Sequence, residues 1–157
     1  MDGKRREVLK TGGGLTLMSL LAAAGWLESA DALAADWNKA AFETRTVDDT
    51  VKALGGSAPA QSKEILFVAP PDIAENGAVV PIGVTSTIPK TESIAILIEK
   101  NPNTLAATFD IPPGTDPSIS TRVKMGQSSN VYAVVKADGT FYVASKEIKV
   151  TLGGCGG

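Results

Sequence analysis

From residue 63 onwards, apolar and polar residues alternate with a period of two, which is the pattern of half-buried β-strands. The runs are separated by Gly, Pro, Asn and Asp, as expected of strands joined by turns. Residues 63–152 therefore predict a mainly β domain, an immunoglobulin-like antiparallel β-sandwich of about seven strands. The alternating positions of the first six runs, which are predicted to face one way within each run, are Ile65 and Phe67; Val80, Ile82 and Val84; Ile94, Ile96 and Ile98; Leu105, Ala107, Phe109 and Ile111; Ile119, Thr121, Val123 and Met125; and Val131, Ala133 and Val135. The seventh run contains Phe141, Val143, Ile148, Val150 and Leu152.

Two positions within these runs constrain the arrangement of the strands. Pro81 has no backbone N–H, so its strand either lies at the edge of a sheet or begins there. Asp138-Gly139 is typical of a two-residue hairpin with a primed turn. The chain lacks the internal Cys–Trp–Cys spacing of antibody domains, so the prediction concerns the sandwich architecture alone.

The apolar positions of the last run change from odd to even numbers. Phe141 and Val143 occupy odd positions, whereas the apolar residues from Ile148 onwards occupy even ones. In a strand with one buried face, such a change requires an extra residue, because successive side chains point to opposite faces. We therefore predict a β-bulge or bend near Ser145–Lys146.

Residues 35–56 predict a helical segment in front of the sandwich. Thr46 is suited to cap a helix, because its hydroxyl can accept a hydrogen bond from an early amide, and two acidic residues follow in the first turn. An apolar stripe starts at Val47 and recurs at helical spacing until Gly55-Gly56, which ends the helix. We expect residues 57–62 to be a linker.

The first 34 residues have the composition of an export signal. A basic patch containing Arg5 and Arg6 precedes a glycine-diluted apolar run at residues 12–27, and Ala32-Leu33-Ala34 offers a cleavage site. The run is too short for a membrane-spanning helix. The arginine pair resembles the twin-arginine pattern of bacterial export signals. We therefore expect residues 1–34 to be removed and the mature chain to lie in the periplasm, without a membrane anchor.

Composition and charge exclude several classes of function. The chain has a net charge of −2, so it offers no positive surplus for binding nucleic acid. It contains no histidine and one cysteine. Catalysis by Ser-His-Asp or Cys-His groups is therefore excluded within the chain, and so are an internal disulfide and the usual zinc sites. No metal and no cofactor are expected.

The only cysteine, Cys155, lies two residues from the C-terminus between two pairs of glycines. Glycine has no Cβ and offers no apolar surface that could bury the thiol. From Leu152 the extended chain carries Cys155 about 10 Å outwards. Residues 153–157 therefore predict a flexible arm that presents a thiol beyond the last strand. Its glycines are Gly153, Gly154, Gly156 and Gly157.

Together these features resemble the SoxY family, the sulfur-carrier subunits of the thiosulfate-oxidising Sox system. The resemblance rests on an exported precursor of this size, a helix ending in Leu54-Gly55-Gly56, a β-rich body and the terminal Gly-Gly-Cys-Gly-Gly, which is the most specific part. It implies that Cys155 carries the substrate covalently on a swinging arm. It also implies that the chain has no catalytic turnover of its own.

The resemblance further implies a set of partners. A SoxZ-like subunit, itself a small β-sandwich, would form a heterodimer with the chain. A haem-containing enzyme would attach thiosulfate oxidatively, and a hydrolase would release sulfate. A sulfane dehydrogenase would then oxidise the sulfur that remains on the arm.

The residues near Cys155 predict a thiol that reacts only inside a partner. A free cysteine has a pKa of about 8.5, so only a few per cent is thiolate at neutral pH. Lys149 is the nearest cation in the sequence, whereas the carboxylate of Gly157 is closer and opposes ionisation of the thiol. We therefore expect an enzyme pocket to supply the positive charge that stabilises the thiolate.

Two other functions are compatible with the sequence. In the first, Gly156-Gly157 carries sulfur as a C-terminal thiocarboxylate, as in ubiquitin-like sulfur carriers. Those carriers are cytoplasmic and depend on ATP, which the export signal opposes. In the second, the chain is an exported structural module whose Cys155 only cross-links two subunits.

Overall fold

The structure, a computed structural model, describes residues 38–151. Within these residues two short helices come first, and nine strands follow in two packed sheets. The mainly β sandwich predicted from the sequence is confirmed. The helices are α1 (Lys39–Phe42) and α2 (Val47–Ala53). The strands are β1 (Ala60–Gln61), β2 (Ile65–Val68), β3 (Ile73–Ala74), β4 (Val80–Ser86), β5 (Thr91–Ile98), β6 (Leu105–Asp110), β7 (Ser118–Val123), β8 (Ser129–Ala137) and β9 (Thr140–Val150).

Helix α2 begins and ends where the sequence predicts. The hydroxyl of Thr46 accepts a hydrogen bond from the amide of Asp49 at 3.1 Å. At the other end, the amide of Gly56 donates to the carbonyl of Val51 at 2.8 Å, and Gly55 has a φ of +90°. This is a Schellman ending, in which a glycine with positive φ turns the chain away from the helix.

Strands from one stretch of the chain, residues 60–74, take part in both sheets. The larger sheet has the order β1-β9-β8-β5-β6, with β3 also paired to β9, and the smaller sheet has the order β2-β4-β7. The seven longer strands pair antiparallel, as predicted, whereas β1 and β3 pair parallel with β9. Residues 60–74 therefore cross from the larger sheet to the smaller one and back.

The linker predicted at residues 57–62 is partly wrong, because it contains β1. The segment shows no alternation of apolar and polar residues, and both residues of β1 are exposed. Its pairing is set by the neighbouring edge of β9 rather than by its own sequence. The same explanation applies to β3, which the sequence did not predict.

The main core lies between the two sheets. It is built from alternate residues of the long strands, so the predicted period of two is confirmed. Its fully buried members include Ile82, Val84, Ile94, Ile96, Ile98, Val131, Ala133, Val135 and Ile148.

A second core lies on the outer face of the larger sheet, beneath the helices. Strands β5, β8 and β9 contribute to both cores, so they are buried on both faces. The sequence predicted one buried face for each strand. The second core consists of Ala41, Val51, Ala95, Leu97, Leu105, Val134 and Val143.

The β-bulge predicted near Ser145–Lys146 is wrong. Strands β8 and β9 pair without a register shift along their whole length. Phe141 and Val143 pack in the second core, whereas Ile148 packs in the main core on the opposite face. The apolar positions change from odd to even because one face of β9 is covered near its start and the opposite face near its end. No extra residue is needed.

A register shift does occur between β5 and β6. Ile96 lies opposite Ala107, but the next residue, Leu97, lies opposite Leu105. The prediction that Leu105, Ala107 and Phe109 face the same way is therefore wrong. Leu105 packs in the second core beneath the helices, whereas Phe109 packs against the main core.

Two predictions about single residues are confirmed. Asp138 and Gly139 have φ values of +47° and +74°, as a primed hairpin turn requires. Pro81 is the second residue of β4, so the strand begins there although β4 is the middle strand of its sheet. On the β2 side, pairing stops at Gly83, and Pro81 lies beyond it.

We expect Gly55→Ala to lower the free energy of unfolding by about 1–2 kcal/mol, because alanine resists positive φ. Nothing lies within 4 Å of a Cβ added at Gly55, so the cost is that of the backbone alone. Gly126→Ala is the matched control, since its added Cβ is equally free of contacts and its φ is not positive. Equal urea midpoints for the two variants would contradict this account of the helix end.

Candidate functional site

The residues predicted to form the arm lie outside the described part of the chain. These are Cys155 and its flanking glycines, Gly153, Gly154, Gly156 and Gly157. The export arginines, Arg5 and Arg6, also lie outside it. The structure does describe the segment from which the arm departs. We call residues 72–77, 125–128 and 149–151 the arm root.

Main-chain hydrogen bonds hold one side of the arm root. The amides of Lys149 and Thr151 donate to the carbonyls of Asp72 and Ala74, at 3.0 and 3.1 Å. These bonds continue the parallel pairing of β3 with β9 to the last described residue. The end of β9 is thus paired on the side away from β8.

Ser128 holds the other side. Its hydroxyl oxygen accepts a hydrogen bond from the amide of Val150 at 2.9 Å and donates to the carbonyl of the same residue at 3.4 Å. The main-chain pairing of β8 with β9 stops at Ser129 and Ile148. The Ser128 side chain therefore extends the hydrogen bonding of β9 beyond its last paired residue.

Gly77 packs directly against the end of β9. A Cβ at this position would lie 2.5 Å from the carbonyl oxygen of Met125 and 2.8 Å from Cγ1 of Val150. The amide of Met125 also donates to the carbonyl of Gly77 at 2.7 Å. Because no side chain fits here, the two loops of the arm root approach each other closely around Val150.

An exposed ion pair lies beside the arm root. Nζ of Lys146 is 2.7 Å from Oδ1 of Asp72, and this hydrogen bond, followed by the charge of Lys146, lowers the pKa of Asp72 below its usual value. The contribution of the pair to stability is thus present above the ordinary pKa of a carboxyl group and is lost as pH falls through the lowered pKa. Lys149 makes no ion pair with the residues that the structure describes.

A cleft of about 560 Å³ lies on the helix side of the larger sheet. Burial, and then the charge of Glu99, raise the pKa of Tyr132 at its base. The charged side chains that line the cleft carry both signs. The lining residues include no cysteine or histidine, so the cleft offers no thiol nucleophile. It is lined by Arg45, Thr46, Val47, Asp48, Pro59, Gln61, Glu99, Tyr132 and Val143.

Among the described residues there is no candidate metal site and no candidate membrane-spanning helix. No three of their Cys, His, Asp or Glu side chains are grouped so that they could hold a metal ion. Among residues 38–151, no helix has the length and apolar character needed to cross a membrane.

Comparison with known families identifies the chain. Residues 50–155 match the family model of the sulfur oxidation protein SoxY, over more than half of the chain and as far as Cys155. The chain belongs to the SoxY family. The resemblance drawn from the terminal Gly-Gly-Cys-Gly-Gly is therefore confirmed, and the chain has the role of a sulfur carrier that works with other components of the Sox system.

One solved structure agrees with the family. The sulfur carrier protein SoxY from Chlorobium limicola f. thiosulfatophilum is 39% identical, over 68% of this chain and 97% of that chain, with a TM-score of 0.62. A superoxide reductase (neelaredoxin) from Ignicoccus hospitalis is 20% identical over 55% of this chain and 79% of that chain, with a TM-score of 0.48, and nothing is concluded from it. No curated protein matches the chain significantly.

Sequence reasoning missed the residues that anchor the arm in this SoxY protein. Asp72 and Gly77 lie in a stretch whose hydrophobicity does not alternate, and Ser128 precedes a strand without any motif of its own. Their roles depend on contacts with the end of β9, more than 20 residues away in the chain. A local pattern could not have indicated them.

We expect Ser128→Ala to loosen the arm root, because the amide of Val150 loses its acceptor. The loss of one such hydrogen bond costs about 1 kcal/mol, so exchange of this amide with deuterium should accelerate about fivefold. Amide exchange followed by NMR measures the effect. Ser120→Ala, in which the exposed serine of β7 is removed, is the control and should leave Val150 unchanged. Equal exchange rates of the Val150 amide in all three proteins would show that Ser128 does not hold the end of β9.

Proposed function

We propose that this SoxY protein is a periplasmic carrier that binds thiosulfate-derived sulfur covalently through the thiol of Cys155. The observation that carries the proposal is the family match, which extends to the only cysteine of the chain. The paired glycines around Cys155 support it, because glycine offers no side chain that could bury the thiol. Arg5 and Arg6 support the location, since they belong to a sequence typical of an export signal.

The proposed chemistry begins with loading of the arm. Sγ of Cys155 forms a bond to the outer sulfur of thiosulfate, the thiol loses its proton, and two electrons pass to a haem-containing enzyme. Water then cleaves the bond between this sulfur and the sulfonate group, so that sulfate leaves and a persulfide remains on Cys155. A sulfane dehydrogenase then accepts six electrons as three water molecules supply the oxygens that convert the outer persulfide sulfur to a sulfonate, with release of six protons. The carrier holds each intermediate and supplies no turnover of its own.

The arm root suits a carrier of this kind. Hydrogen bonds to Val150 and Thr151 hold the last described residues. The reach of Cys155 is then set by the four residues that follow Thr151, which span roughly 13 Å when extended. A fixed origin and a short reach confine the thiol to a small volume, which raises its effective concentration in the pocket of a bound enzyme.

The proposed partners are those of the Sox system. A SoxZ-like subunit forms a heterodimer with the chain, and the loading enzyme, the hydrolase and the dehydrogenase receive the arm in turn. The pKa of an isolated thiol, about 8.5, leaves Cys155 mostly protonated at neutral pH. Each enzyme therefore supplies the positive charge that activates the thiol, which protects the exposed arm from oxidation between visits.

We expect Cys155→Ser to abolish loading with thiosulfate, because the hydroxyl of serine cannot form the sulfur–sulfur bond. The intact mass of the mature protein, measured after incubation with thiosulfate and the haem-containing enzyme, shows whether the adduct forms. Thermal unfolding should be unchanged, since residue 155 follows β9, the last strand that the structure describes. An adduct that persists in the serine variant would disprove the proposal.

Two further measurements separate this function from its alternatives. Deletion of Gly156-Gly157 leaves a cysteine carrier able to load but prevents formation of a thiocarboxylate at the natural C-terminus. A non-reducing gel tests the cross-linking module. If the protein isolated from cells is entirely an interchain disulfide and reduction leaves its biological activity unchanged, Cys155 is a cross-link and not a carrier.

A further inference from the structure

Asn76 and Gly77 form a dipeptide within the arm root. Asn76 is exposed, whereas Gly77 is buried. A Cβ at residue 77 would lie 2.5 Å from the carbonyl oxygen of Met125, so the packing of the arm root requires a glycine here. A glycine after an asparagine has a chemical consequence. It carries no Cβ that would hinder attack of its main-chain nitrogen on the side chain of the preceding residue.

Hydrogen bonds hold this dipeptide in a turn. The amide of Val79 donates to the carbonyl of Asn76 at 3.2 Å, which closes a β-turn that begins at Asn76. The amide of Ala78 donates to Oδ1 of the Asn76 side chain at 2.9 Å. In the described part of the chain, the amide of Gly77 has no acceptor. The nitrogen of Gly77 is therefore not held away from the Asn76 side chain by a hydrogen bond of its own.

The amide of Ala78 is placed to stabilise negative charge on the Asn76 side chain. If the nitrogen of Gly77 attacks Cγ of Asn76, Oδ1 becomes an oxyanion. Donors at about 2.7–3.1 Å from such an oxygen lower the barrier to acyl transfer. The Ala78 amide already lies at 2.9 Å from Oδ1. The turn thus brings together a nucleophile, an electrophilic carbon and an oxyanion donor within three consecutive residues.

We propose that Asn76 is a site of spontaneous deamidation in the folded protein, with water as the only co-reactant. The nitrogen of Gly77 forms a bond to Cγ of Asn76, and the bond from Cγ to Nδ2 breaks. Ammonia leaves and takes with it the proton of the Gly77 amide. Water then opens the resulting cyclic imide. Opening at Cγ gives aspartate, and opening at the main-chain carbonyl of residue 76 gives isoaspartate. No electrons are transferred in either step.

Isoaspartate lengthens the main chain of the arm root by one carbon atom. The chain is held on both sides of Asn76. The carbonyl of Glu75 accepts a hydrogen bond from the hydroxyl of Thr151 at 3.4 Å, and the carbonyl of Gly77 accepts one from the amide of Met125 at 2.7 Å. Because Gly77 has no space to move towards Met125, the added atom displaces the longer bond, the one to Thr151. Isoaspartate formation therefore loosens the end of β9, whether or not Cys155 carries sulfur.

Peptide mapping by mass spectrometry during storage of the purified protein tests the reaction. We expect aspartate and isoaspartate to accumulate at residue 76 at least about tenfold faster than at Asn103. Asn103 is the matched control, because it is also exposed but precedes a β-branched residue, Thr104, whose amide is bound to the carbonyl of Thr44 at 3.0 Å. Equal rates at the two asparagines, or no reaction at residue 76, would overturn the proposal.

A synthetic peptide of residues 74–79 separates the effect of the fold from that of the dipeptide. We expect the rate at residue 76 in the folded protein to lie within about tenfold of the rate in the peptide, because the turn holds the reacting groups together. A slower reaction in the protein would mean that packing around Gly77 blocks ring closure, and the proposal would be wrong. Asn76→Gln should abolish the reaction, since its longer side chain closes a ring less readily. Ammonia release that continues unchanged in this variant would also overturn the proposal.

Hydrogen exchange tests the consequence for the arm root. The isoaspartate form is separated from the unmodified protein by chromatography. We expect the amide of Thr151 to exchange with deuterium about fivefold faster in the isoaspartate form. Asn76→Asp is the matched control, because it introduces a carboxylate without lengthening the main chain, and it should leave this amide unchanged. Equal exchange of the Thr151 amide in the isoaspartate form and in Asn76→Asp would overturn the predicted loosening of β9.

Discussion

Strand β9 contributes side chains to both cores, and the rest of the structure depends on this arrangement. Near its start, Phe141 and Val143 pack beneath the helices, and near its end Ile148 packs between the sheets. The strand also pairs with β8 along its length and with β1 and β3 on its other side. Removing β9 would therefore open both cores at once, as would removing β5 or β8.

The attachment of the end of β9 bears on the proposed role of the arm. An arm that began in a frayed strand would search a larger volume, and its thiol would meet the pocket of an enzyme less often. Ser128 and the carbonyls of residues 72–74 prevent such fraying at the point of departure. The protein thus joins a hydrogen-bonded strand end to a glycine-rich terminal sequence.

Residues 60–74 contribute strands to both sheets, because the chain crosses from one sheet to the other and back. Within residues 60–74, β1 and β3 complete the hydrogen bonding of β9, whereas β2 leaves that sheet and becomes the edge of the other. The parallel pairs are only two residues long: β1 lies beside the start of β9, at Tyr142 and Val143, and β3 lies beside its end, at Lys149 and Val150. Within residues 38–151, the crossing leaves β2 paired on one side only, with β4.

The period of two, the capped helix and the terminal Gly-Gly-Cys-Gly-Gly are local features, so the sequence by itself determined the β-sandwich, the bounds of α2 and the SoxY family. Local patterns do not reveal which helices, strands or loops pack on each face of a strand. The bulge predicted near Ser145–Lys146 was wrong for this reason: the pattern assumed one buried face, and the helices cover the other. The anchoring roles of Ser128 and Gly77 were likewise decided only by the tertiary structure, because each depends on segments that are distant in the chain and meet only after folding.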